Sequence, residues 1–539
     1  MSRAHGRRLD LLAFVILLIA VGAGTGLRIH AQHQNPNVQH DEAWSYASAA
    51  GRLGPFMAAM DGGLTGRWVP ASDWQYFWQS DGLSGVSRIA PDLAAYDVHP
   101  PLYFGLLHGW LALTGVHAWA GRALNLVFAA LAVLCIFGMA RALGFRRIEG
   151  ALAALVWAVS PAVVSISSIT RQYDLVALTT VLLVWGLVRA ASPRTGGRDA
   201  GRSSRTWPWL DILWLAAATA AALLTHYQAV LLVAGGALYG LAGVLLPGQD
   251  TRRRPWWPPL IGLAAGALAA ALLAPGWSSA FGRERGRLGD VSVTAFLGKL
   301  GAIAQTLGRF VAVPGLVVGV AAAVVILLFL VPRSRRILSA RIRSARRGWW
   351  TILFFVLVTA GGICLQNLLF LSMPPRISAR YLAMAWPFLA FLPLLFFGIW
   401  PRARNVLTAA FCLLVLVPAT IATPLLYGGT DRLPLGRLAD ADAVIIDNVG
   451  VGELPRFLWS VPAGAQVFAG TQEQLLADKD AWRNATLGDK AYYVTILRNG
   501  GLRWRRNHIL ANLRRTHTVT LVGTNGMAEI YAITPKATQ

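Results

Sequence analysis

Long apolar segments separated by short polar loops dominate the chain from its start to about residue 427. An α-helix of roughly 20 mostly apolar residues spans the ~30 Å hydrocarbon core of a bilayer. The pattern therefore predicts eleven transmembrane helices. They fall near residues 9–28, 119–140, 148–167, 174–190, 209–225, 228–246, 258–275, 309–332, 349–372, 381–400 and 405–427.

A further apolar segment, LYFGLLHGWLALTG at residues 102–115, is not counted as a span. It is short for crossing the bilayer, and counting it would place the basic segment RALGFRR on the outer side. We interpret it, like residues 42–60 before it, as a juxtamembrane helix that lies along or partly in the outer leaflet. The first outer loop, residues 29–118, then forms a long folded element on the bilayer.

The pattern changes in the last part of the chain, where short runs replace the long apolar segments. Runs typical of β-strands, AVIID, AQVFAG, AYYVTIL, TVTLVG and AEIYAIT, alternate with polar helical stretches such as TQEQLLADKDAWRN and GLRWRRNHILANLRR. This alternation predicts a small α/β domain over residues 428–539, after a membrane domain over residues 1–427.

The composition is that of a polytopic membrane protein, with 55% hydrophobic and 14% charged residues and a mean hydropathy of +0.51. The net charge of +24 would suggest a nucleic-acid partner in a soluble chain. Here the arginines cluster in short loops, at residues 194–205, 250–255 and 333–347, which the positive-inside rule assigns to the cytoplasm. The N-terminal MSRAHGRR is also basic. We therefore expect a cytoplasmic N-terminus, a C-terminal domain on the other side of the membrane, and no nucleic-acid partner.

Ionisable side chains near a membrane are costly and mark functional sites, so those outside the basic loops are informative. They come from six places in the sequence, and the predicted topology brings all of them to the outer face. The charged and imidazole members are Asp41, Glu42, Asp97, His99, Arg122, Arg171, Asp174, His226, Arg376 and Arg380, and the tyrosines beside them are Tyr173, Tyr227 and Tyr381.

These residue types suit one kind of chemistry. Guanidinium and imidazole groups bind phosphate through charge-assisted hydrogen bonds, and they stabilise a phosphate that departs as a leaving group. A carboxylate beside them takes the proton from an attacking hydroxyl. The set therefore predicts transfer of a group from a lipid phosphate to a hydroxyl.

Structural interpretations exist for the same residues. Asp41 precedes a predicted helix and suits an N-cap, and neighbouring helical positions point about 100° apart, so Glu42 cannot address the same atom. Glu42 then orients an arginine or binds the acceptor. Arg171 suits an arginine that reaches to the lipid headgroups, and Arg122 suits either that role or a structural partner of Asp97.

The remaining candidates also leave alternatives open. A helix–helix hydrogen bond would account for His226 and Tyr227, and an interfacial anchor would account for Arg380 and Tyr381, while His99 stays ambiguous. A transporter or flippase of a lipid-linked or anionic substrate is the alternative function, because it too would place ionisable groups in a helix bundle. Such proteins tend to have inverted repeats and polar groups near the midplane.

Six motifs follow one another in a recognisable order: HDEAWSY, HPPLYFGLLHGWLALTG, AGRALNL, SPAVVSISSITRQYDLVAL, THYQ and SARYLAMAWPF. This order resembles the bacterial branch of the protein O-mannosyltransferase and aminoarabinose transferase superfamily, over roughly residues 9–400. Its members are GT-C glycosyltransferases that use polyprenyl-phosphate sugars. The resemblance implies an α-helical GT-C fold and an inverting glycosyltransferase with a periplasmic active site, in the bacterial inner membrane.

The resemblance also implies individual roles. An acidic residue of the first outer loop is the base in this family, which implies Asp41 as the catalytic residue with Glu42 alongside. The family's donor-binding motifs correspond to Arg171 with Tyr173 and to Arg380 with Tyr381. We predict three further donor ligands, Arg122, His226 and Tyr227. The predicted acceptor-binding or supporting residues are Asp97, His99, Asp174 and Arg376.

Two departures from the family pattern bear on substrate identity. Asp174 follows Tyr173 where an apolar residue is more usual, and the first motif lacks an arginine after its acidic pair. A metal is not expected, because the carboxylates and histidines lack close metal-ligand spacing, although some relatives bind a cation. The expected partners are a lipid-linked sugar donor, an envelope glycan, lipid or protein acceptor, and membrane lipids.

Overall fold

The computed structural model describes residues 3–80, 82, 84–191, 208–245, 257–274, 276–277, 282, 292–313, 315, 347–370, 379–426, 433–447, 453–479, 482, 488–497, 503–524 and 528–536. Helices make up most of this chain, and one sheet forms towards its C-terminal end. The first helix and the first outer loop contain α1 (Arg3–Gln34), α2 (His40–Ala49), α3 (Leu53–Ala58), β1 (Trp68–Pro70), α4 (Ala71–Gln75), α5 (Val86–Tyr96) and α6 (Leu102–Thr114).

The helical part continues to residue 426. It contains α7 (Ala120–Ala142), α8 (Arg147–Val159), α9 (Pro161–Ser167), α10 (Tyr173–Ala190), α11 (Pro208–Thr225), α12 (Ala229–Leu245), α13 (Trp257–Leu273), α14 (Val293–Phe310), α15 (Arg347–Val356), α16 (Gly362–Phe370), α17 (Trp386–Leu389), α18 (Leu392–Phe396), α19 (Arg404–Phe411) and α20 (Val417–Leu426). Single π-helical turns join α15 to α16 and α19 to α20.

Five helices of the described chain are long and apolar enough to cross a membrane: Arg7–Gln34, Ala120–Ala142, Tyr173–Ala190, Gly348–Gln366 and Arg404–Ala422. The pair α8 and α9 adds a sixth if it counts as one span, bent by 58° where Pro161 begins α9. All six coincide with predicted spans. The total of eleven stays a prediction, because α11, α12 and α13 are shorter and most of residues 309–332 lies outside the described chain.

Two predicted helices differ from the structure. The apolar helix within residues 381–400 is short, Trp386–Phe396, because Pro387 and Pro393 lack the backbone N–H that would continue a helix. Residues 42–60 form α2 and α3 rather than one helix. Gly51 separates them with φ of +65°, and a Cβ there would lie 2.3 Å from the carbonyl oxygen of Gly85. The helix predicted over residues 102–115 is present as α6.

All five predicted β-runs form strands. They are β2 (Ala443–Asp447), β3 (Gln466–Ala469), β4 (Ala491–Ile496), β5 (His517–Thr524) and β6 (Ala528–Pro535), with α21 (Glu453–Leu458), α22 (Gln472–Ala477) and α23 (Arg503–Thr516) between them. The sheet order is β1-β3-β2-β4-β6-β5. Strands β3, β2 and β4 are parallel, and β6, β5 and β1 join antiparallel.

The sixth strand, β1, comes from the first outer loop and pairs with β3. The sheet is therefore shared between the two predicted domains, whose boundary at residue 427 lies outside the described chain. Alternate residues of β2 enter two different cores: Val444 and Ile446 join the large core that extends into the membrane helices, and Ala443 and Ile445 join a smaller core with α22 and α23.

The C-terminal part docks on the first outer loop through an aromatic contact. Trp459 stacks on Trp78, with ring centroids 5.9 Å apart, and lies 4.8 Å from the ring of Tyr46 on α2. The Gln75 amide donates hydrogen bonds to the carbonyl oxygens of Leu458 (3.0 Å) and Val461 (2.7 Å). Helix α2 is therefore held between the membrane helices and the sheet.

Candidate active site

Helix α2 presents Asp41 and Glu42 in its first turn, and the two side chains point to different surroundings. Glu42 is fully buried and accepts hydrogen bonds from Arg122 Nε (2.7 Å), Arg122 Nη2 (2.6 Å) and the backbone N–H of Thr170 (2.8 Å) and Gln39 (2.8 Å). Donors from the protein therefore already occupy the oxygens of the Glu42 carboxylate.

Arg122 is equally occupied. Beyond Glu42, its Nη1 and Nη2 donate to the carbonyl oxygens of Asn35 and Asn37, both at 2.8 Å. Arg122 is buried at the start of α7 and neither reaches towards headgroups nor pairs with Asp97. An arginine whose donors are occupied in this way does not fit the prediction that Arg122 is a donor ligand. It fits the predicted alternative in which Glu42 orients an arginine.

Asp41 is the acidic residue that lies among arginines and faces solvent in part. Arg380 Nη1 lies 2.5 Å from its Oδ2, Arg171 Nη2 lies 3.5 Å from its Oδ1, and His40 Nδ1 lies 3.2 Å from the same Oδ1. Burial alone would raise the pKa of Asp41, but Arg171, the His40 hydrogen bond and Arg380 outweigh it and hold this pKa well below its usual range. Asp41 is therefore a carboxylate at neutral pH.

Arg171 lies in the short break between α9 and α10, only 6% exposed. The Asn125 amide fixes this break by donating to the carbonyl oxygens of Ile169 (2.6 Å) and Arg171 (3.1 Å). Within the described chain, Arg171 Nε and Nη1 have no hydrogen-bond partner. Burial would lower the pKa of Arg171, but Asp41 and Asp97 outweigh it and raise the pKa, so the group stays a cation.

Asp97 and His99 form a second acid–imidazole pair near Arg171. His99 Nδ1 lies 2.7 Å from Asp97 Oδ1, and the Trp44 indole donates to Asp97 Oδ2 at 3.0 Å. The His226 ring centroid is 6.2 Å from that of His99. Burial and His99 lower the pKa of His226 to about 3, so this imidazole is neutral at pH 7.

Two tyrosines lie near the arginines. The Arg380 guanidinium lies 5.4 Å from the ring centroid of Tyr381, and Tyr173 interacts electrostatically with Arg380 and Arg171. Tyr227, by contrast, contacts the ring of Trp277 at 4.7 Å. Its link to the site is through its neighbour His226.

Asp174 has different neighbours. It is buried in α10, accepts a hydrogen bond from Ser167 (2.7 Å) and faces Arg28 of α1, which donates to carbonyl oxygens of Gly24 and Ala158. These contacts tie α10 to α1 and do not reach Asp41. Arg376 lies outside the described residues.

Sequence reasoning missed three participants. His40 stands directly before Asp41 in the HDE motif, and that adjacency was a usable signal. Thr170 and Trp44 enter through contacts between distant segments, which have no sequence signature. Among the described residues, no cluster of three or more histidine, cysteine, aspartate or glutamate side chains could hold a metal ion. Chemistry without a metal stays a prediction.

Comparison with known proteins agrees with this architecture. Residues 98–278 match the family model described as dolichyl-phosphate-mannose-protein mannosyltransferase, a range that contains Arg122 and Arg171 but not α2 or Arg380. No curated protein sequence matches the chain significantly.

Among solved structures, ArnT from Cupriavidus metallidurans bound to undecaprenyl phosphate is similar over 99% of this chain and 98% of its own, with 12% identity and a TM-score of 0.52. The apo form of the same protein is similar over 98% of both chains, with 13% identity and a TM-score of 0.50. The predicted resemblance to the GT-C glycosyltransferases is thus confirmed, and the chain has the GT-C fold.

Proposed function

We propose that this protein is an inverting glycosyltransferase that moves a monosaccharide from a polyprenyl-phosphate donor to an acceptor hydroxyl. The observation that carries the proposal is Arg171, a buried cation with two nitrogens, Nε and Nη1, that have no partner in the described chain, beside the carboxylate of Asp41. A buried donor without a partner costs free energy, and a bound anion that accepts hydrogen bonds from this guanidinium would reduce that cost.

A phosphate suits this position better than a carboxylate or a neutral ligand. Arg171 has Nε and Nη1 without a partner in the described chain, and a phosphate has several oxygens that accept charge-assisted hydrogen bonds from a guanidinium. Arg380 is 35% exposed and adds a second cation on the open side of Asp41. Two cations also stabilise the charge that develops on a departing lipid phosphate, which lowers the barrier to transfer.

Asp41 supplies the base in this mechanism. It takes the proton of the acceptor hydroxyl, whose oxygen attacks the anomeric carbon on the face opposite the phosphate. The bond from that carbon to the phosphate oxygen breaks, its electron pair leaves with the lipid phosphate, and the anomeric centre inverts. Once the donor phosphate shares Arg171 and Arg380, less positive charge acts on Asp41, so its pKa rises towards a value useful for a base.

Glu42 acts as a positioning residue in this proposal. It joins the start of α2 to Arg122 on α7 and to Thr170, the residue directly before Arg171. One buried carboxylate thus sets the distance between the base and the phosphate-binding arginine. In this proposal the C-terminal sheet, docked on the other side of α2, helps to hold the acceptor.

The membrane setting supports a lipid donor. We propose a bacterial inner-membrane protein with its N-terminus in the cytoplasm and the site and C-terminal domain at the periplasmic face, as the basic loops indicate. ArnT, which shares the fold, was solved with undecaprenyl phosphate bound. Exposed apolar side chains such as Leu113 and Trp119 near the end of α6 suit contact with lipid at this level.

Binding of undecaprenyl phosphate to the full chain in lipid nanodiscs tests the phosphate site without knowledge of the sugar. We expect R171Q to bind at least about tenfold more weakly than the wild type, because a charge-assisted hydrogen bond contributes about 1.5–3 kcal/mol. The matched control is R189Q, at the far end of α10, where Arg189 pairs with Asp211. Equal binding by R171Q and the wild type would contradict the proposal.

Transfer itself is tested with labelled undecaprenyl-phosphate mannose, glucose, arabinose and aminoarabinose, and with membranes of a strain that lacks the gene as acceptor. We expect transfer from one of these donors by the wild type and none by D41N. Unchanged transfer by D41N would rule out Asp41 as the base. Mass analysis of envelope glycans after deletion of the gene identifies the product.

A further inference from the structure

We propose that His40 is a second catalytic residue, which receives the acceptor proton from Asp41 and passes it to solvent. The inference rests on the proposed function and deepens it, because it adds the route by which the proton leaves. The geometry is direct. His40 Nδ1 lies 3.2 Å from Asp41 Oδ1, and the two residues begin the same helix.

Exposure orders the two groups along a path. The Asp41 side chain is 25% exposed and lies among the arginines, whereas the His40 side chain is 41% exposed. Within the described chain, the second ring nitrogen, Nε2, has no hydrogen-bond partner. Asp41 therefore faces the reaction centre, and the imidazole connects it to water.

The charges around Asp41 make such a second group necessary. Arg171 and Arg380 keep the carboxylate ionised and in place. When the lipid phosphate leaves, their full charge acts on Asp41 again, so the carboxylate cannot hold the proton that it has taken. Imidazole is the side chain whose ordinary pKa, about 6.5, lies closest to neutral pH. A proton that arrives on Asp41 therefore moves readily to the ring beside it.

Four charged residues lie near the proposed proton route. Asp41 belongs to the same helix as His40, and Glu42 is turned inward to Arg122. Arg171 precedes α10, and Arg380 lies in the turn Ala379–Leu382.

The acceptor oxygen forms its bond to the anomeric carbon, and the bond from that carbon to the phosphate breaks. The hydroxyl proton moves to Asp41. In the His40 tautomer that carries its own proton on Nε2, the Nδ1 lone pair takes this proton, the imidazolium releases the Nε2 proton to solvent, and exchange of the ring proton with water restores the starting tautomer. No oxidant or other co-reactant is needed.

The first test compares transfer by the wild type, H40Q and H40N. An amide side chain still donates a hydrogen bond to Asp41 but has no nitrogen that takes up a proton. We expect both variants to lose about 100-fold in kcat, at the lower end of the range for acid–base groups, with unchanged binding of undecaprenyl phosphate. H33Q is the matched control, because His33 is exposed at the end of α1, and we expect wild-type activity.

The second test uses pH and chemical rescue. Wild-type kcat should fall at acidic pH, because protonated imidazole cannot accept a proton, and this acid limb should be absent in H40Q. Added imidazole should restore transfer by H40A. This rescue distinguishes a proton carrier from a residue that only positions Asp41, which free imidazole would not replace.

The outcomes separate this inference from the proposed function. If H40Q transfers sugar at the wild-type rate with the same pH profile while D41N is inactive, the proton route is wrong and the glycosyltransferase stands. A higher acceptor KM with unchanged kcat in H40Q would make His40 an acceptor-binding residue and also overturn the route. If the wild type neither binds undecaprenyl phosphate nor transfers sugar, the proposed function fails first.

Discussion

Arg122 and Glu42 form a buried two-point ion pair that joins the start of α7 to the start of α2, with Nη2 2.6 Å from Oε2 and Nε 2.7 Å from Oε1. The two residues are 80 apart in sequence and almost fully buried. It lies directly behind Asp41. The candidate site is thus built on a structural charge pair and does not consist of two equivalent acids.

Removal of one partner of this pair should destabilise the protein strongly. E42A leaves the Arg122 cation buried without its counter-charge, which typically costs about 3–5 kcal/mol of unfolding free energy, and R122A does the same to Glu42. The double variant E42L/R122M should lose much less, because no unpaired charge remains. Thermal melting of the full chain in detergent measures this cycle; additive losses in the double variant would show that the pair does not interact.

Replacement of Asp41 should change two properties in opposite directions. D41N removes the charge that faces Arg171 and Arg380, so we expect tighter binding of undecaprenyl phosphate, by about tenfold for a gain near 1.4 kcal/mol. The same variant should lose sugar transfer, because its amide takes up no proton. Binding that weakens together with transfer would indicate that Asp41 only maintains the fold of the site.

The docking of the sheet on α2 should depend on Trp459. W459A removes the ring that contacts Trp78 and Tyr46, and an aromatic at the centre of an interface typically contributes about 2–4 kcal/mol. Hydrogen exchange of α2 amides should then accelerate, and sugar transfer should fall. The control is W504A, because Trp504 is 53% exposed on α23. Similar exchange in the two variants would mean that Trp459 does not hold α2.

Stability of the sheet should depend on pH through Asp447. Burial raises the pKa of Asp447 to about 6. Hydrogen bonds from Tyr493 and the backbone N–H of Ile496 favour the ionised form, but they do not offset the effect of burial. The folded state therefore binds the proton more tightly than the unfolded state. This contribution is fully present below about pH 4 and is lost as pH rises through 6.

The comparison with D447N, which has no titrating group, isolates this effect. The difference in unfolding free energy between the wild type and D447N should shift by up to about 3 kcal/mol in favour of the wild type as pH falls from 7 to 4. Hydrogen exchange of β2 and β4 amides measures it locally. A pH-independent difference would refute the raised pKa.

Much of the architecture was predictable because it depends on local patterns. Alternating and buried runs such as AVIID and AYYVTIL identified β2 and β4, and apolar length identified α1, α7 and α10. Strand β1 was not predictable, because three residues, WVP, have no periodicity and gain their structure only by pairing with β3. The helix predicted over residues 381–400 was too long, because apolar composition does not register the prolines within it.

The candidate site, like the fold, was predictable from the sequence only in part. Sequence identified which charged residues are out of place near a membrane, including Asp41, Arg171 and Arg380, because the cost of a charge in such a setting depends on residue type and position alone. It could not decide that Glu42 belongs to Arg122 while Asp41 belongs to Arg171 and Arg380. Neighbours on one helix differ in direction by about 100°, and partners up to 339 residues away meet them only after the helices pack. The sequence by itself therefore determined which groups take part, whereas only the tertiary structure decided which pairs of charges neutralise each other and which donors stay open for a ligand.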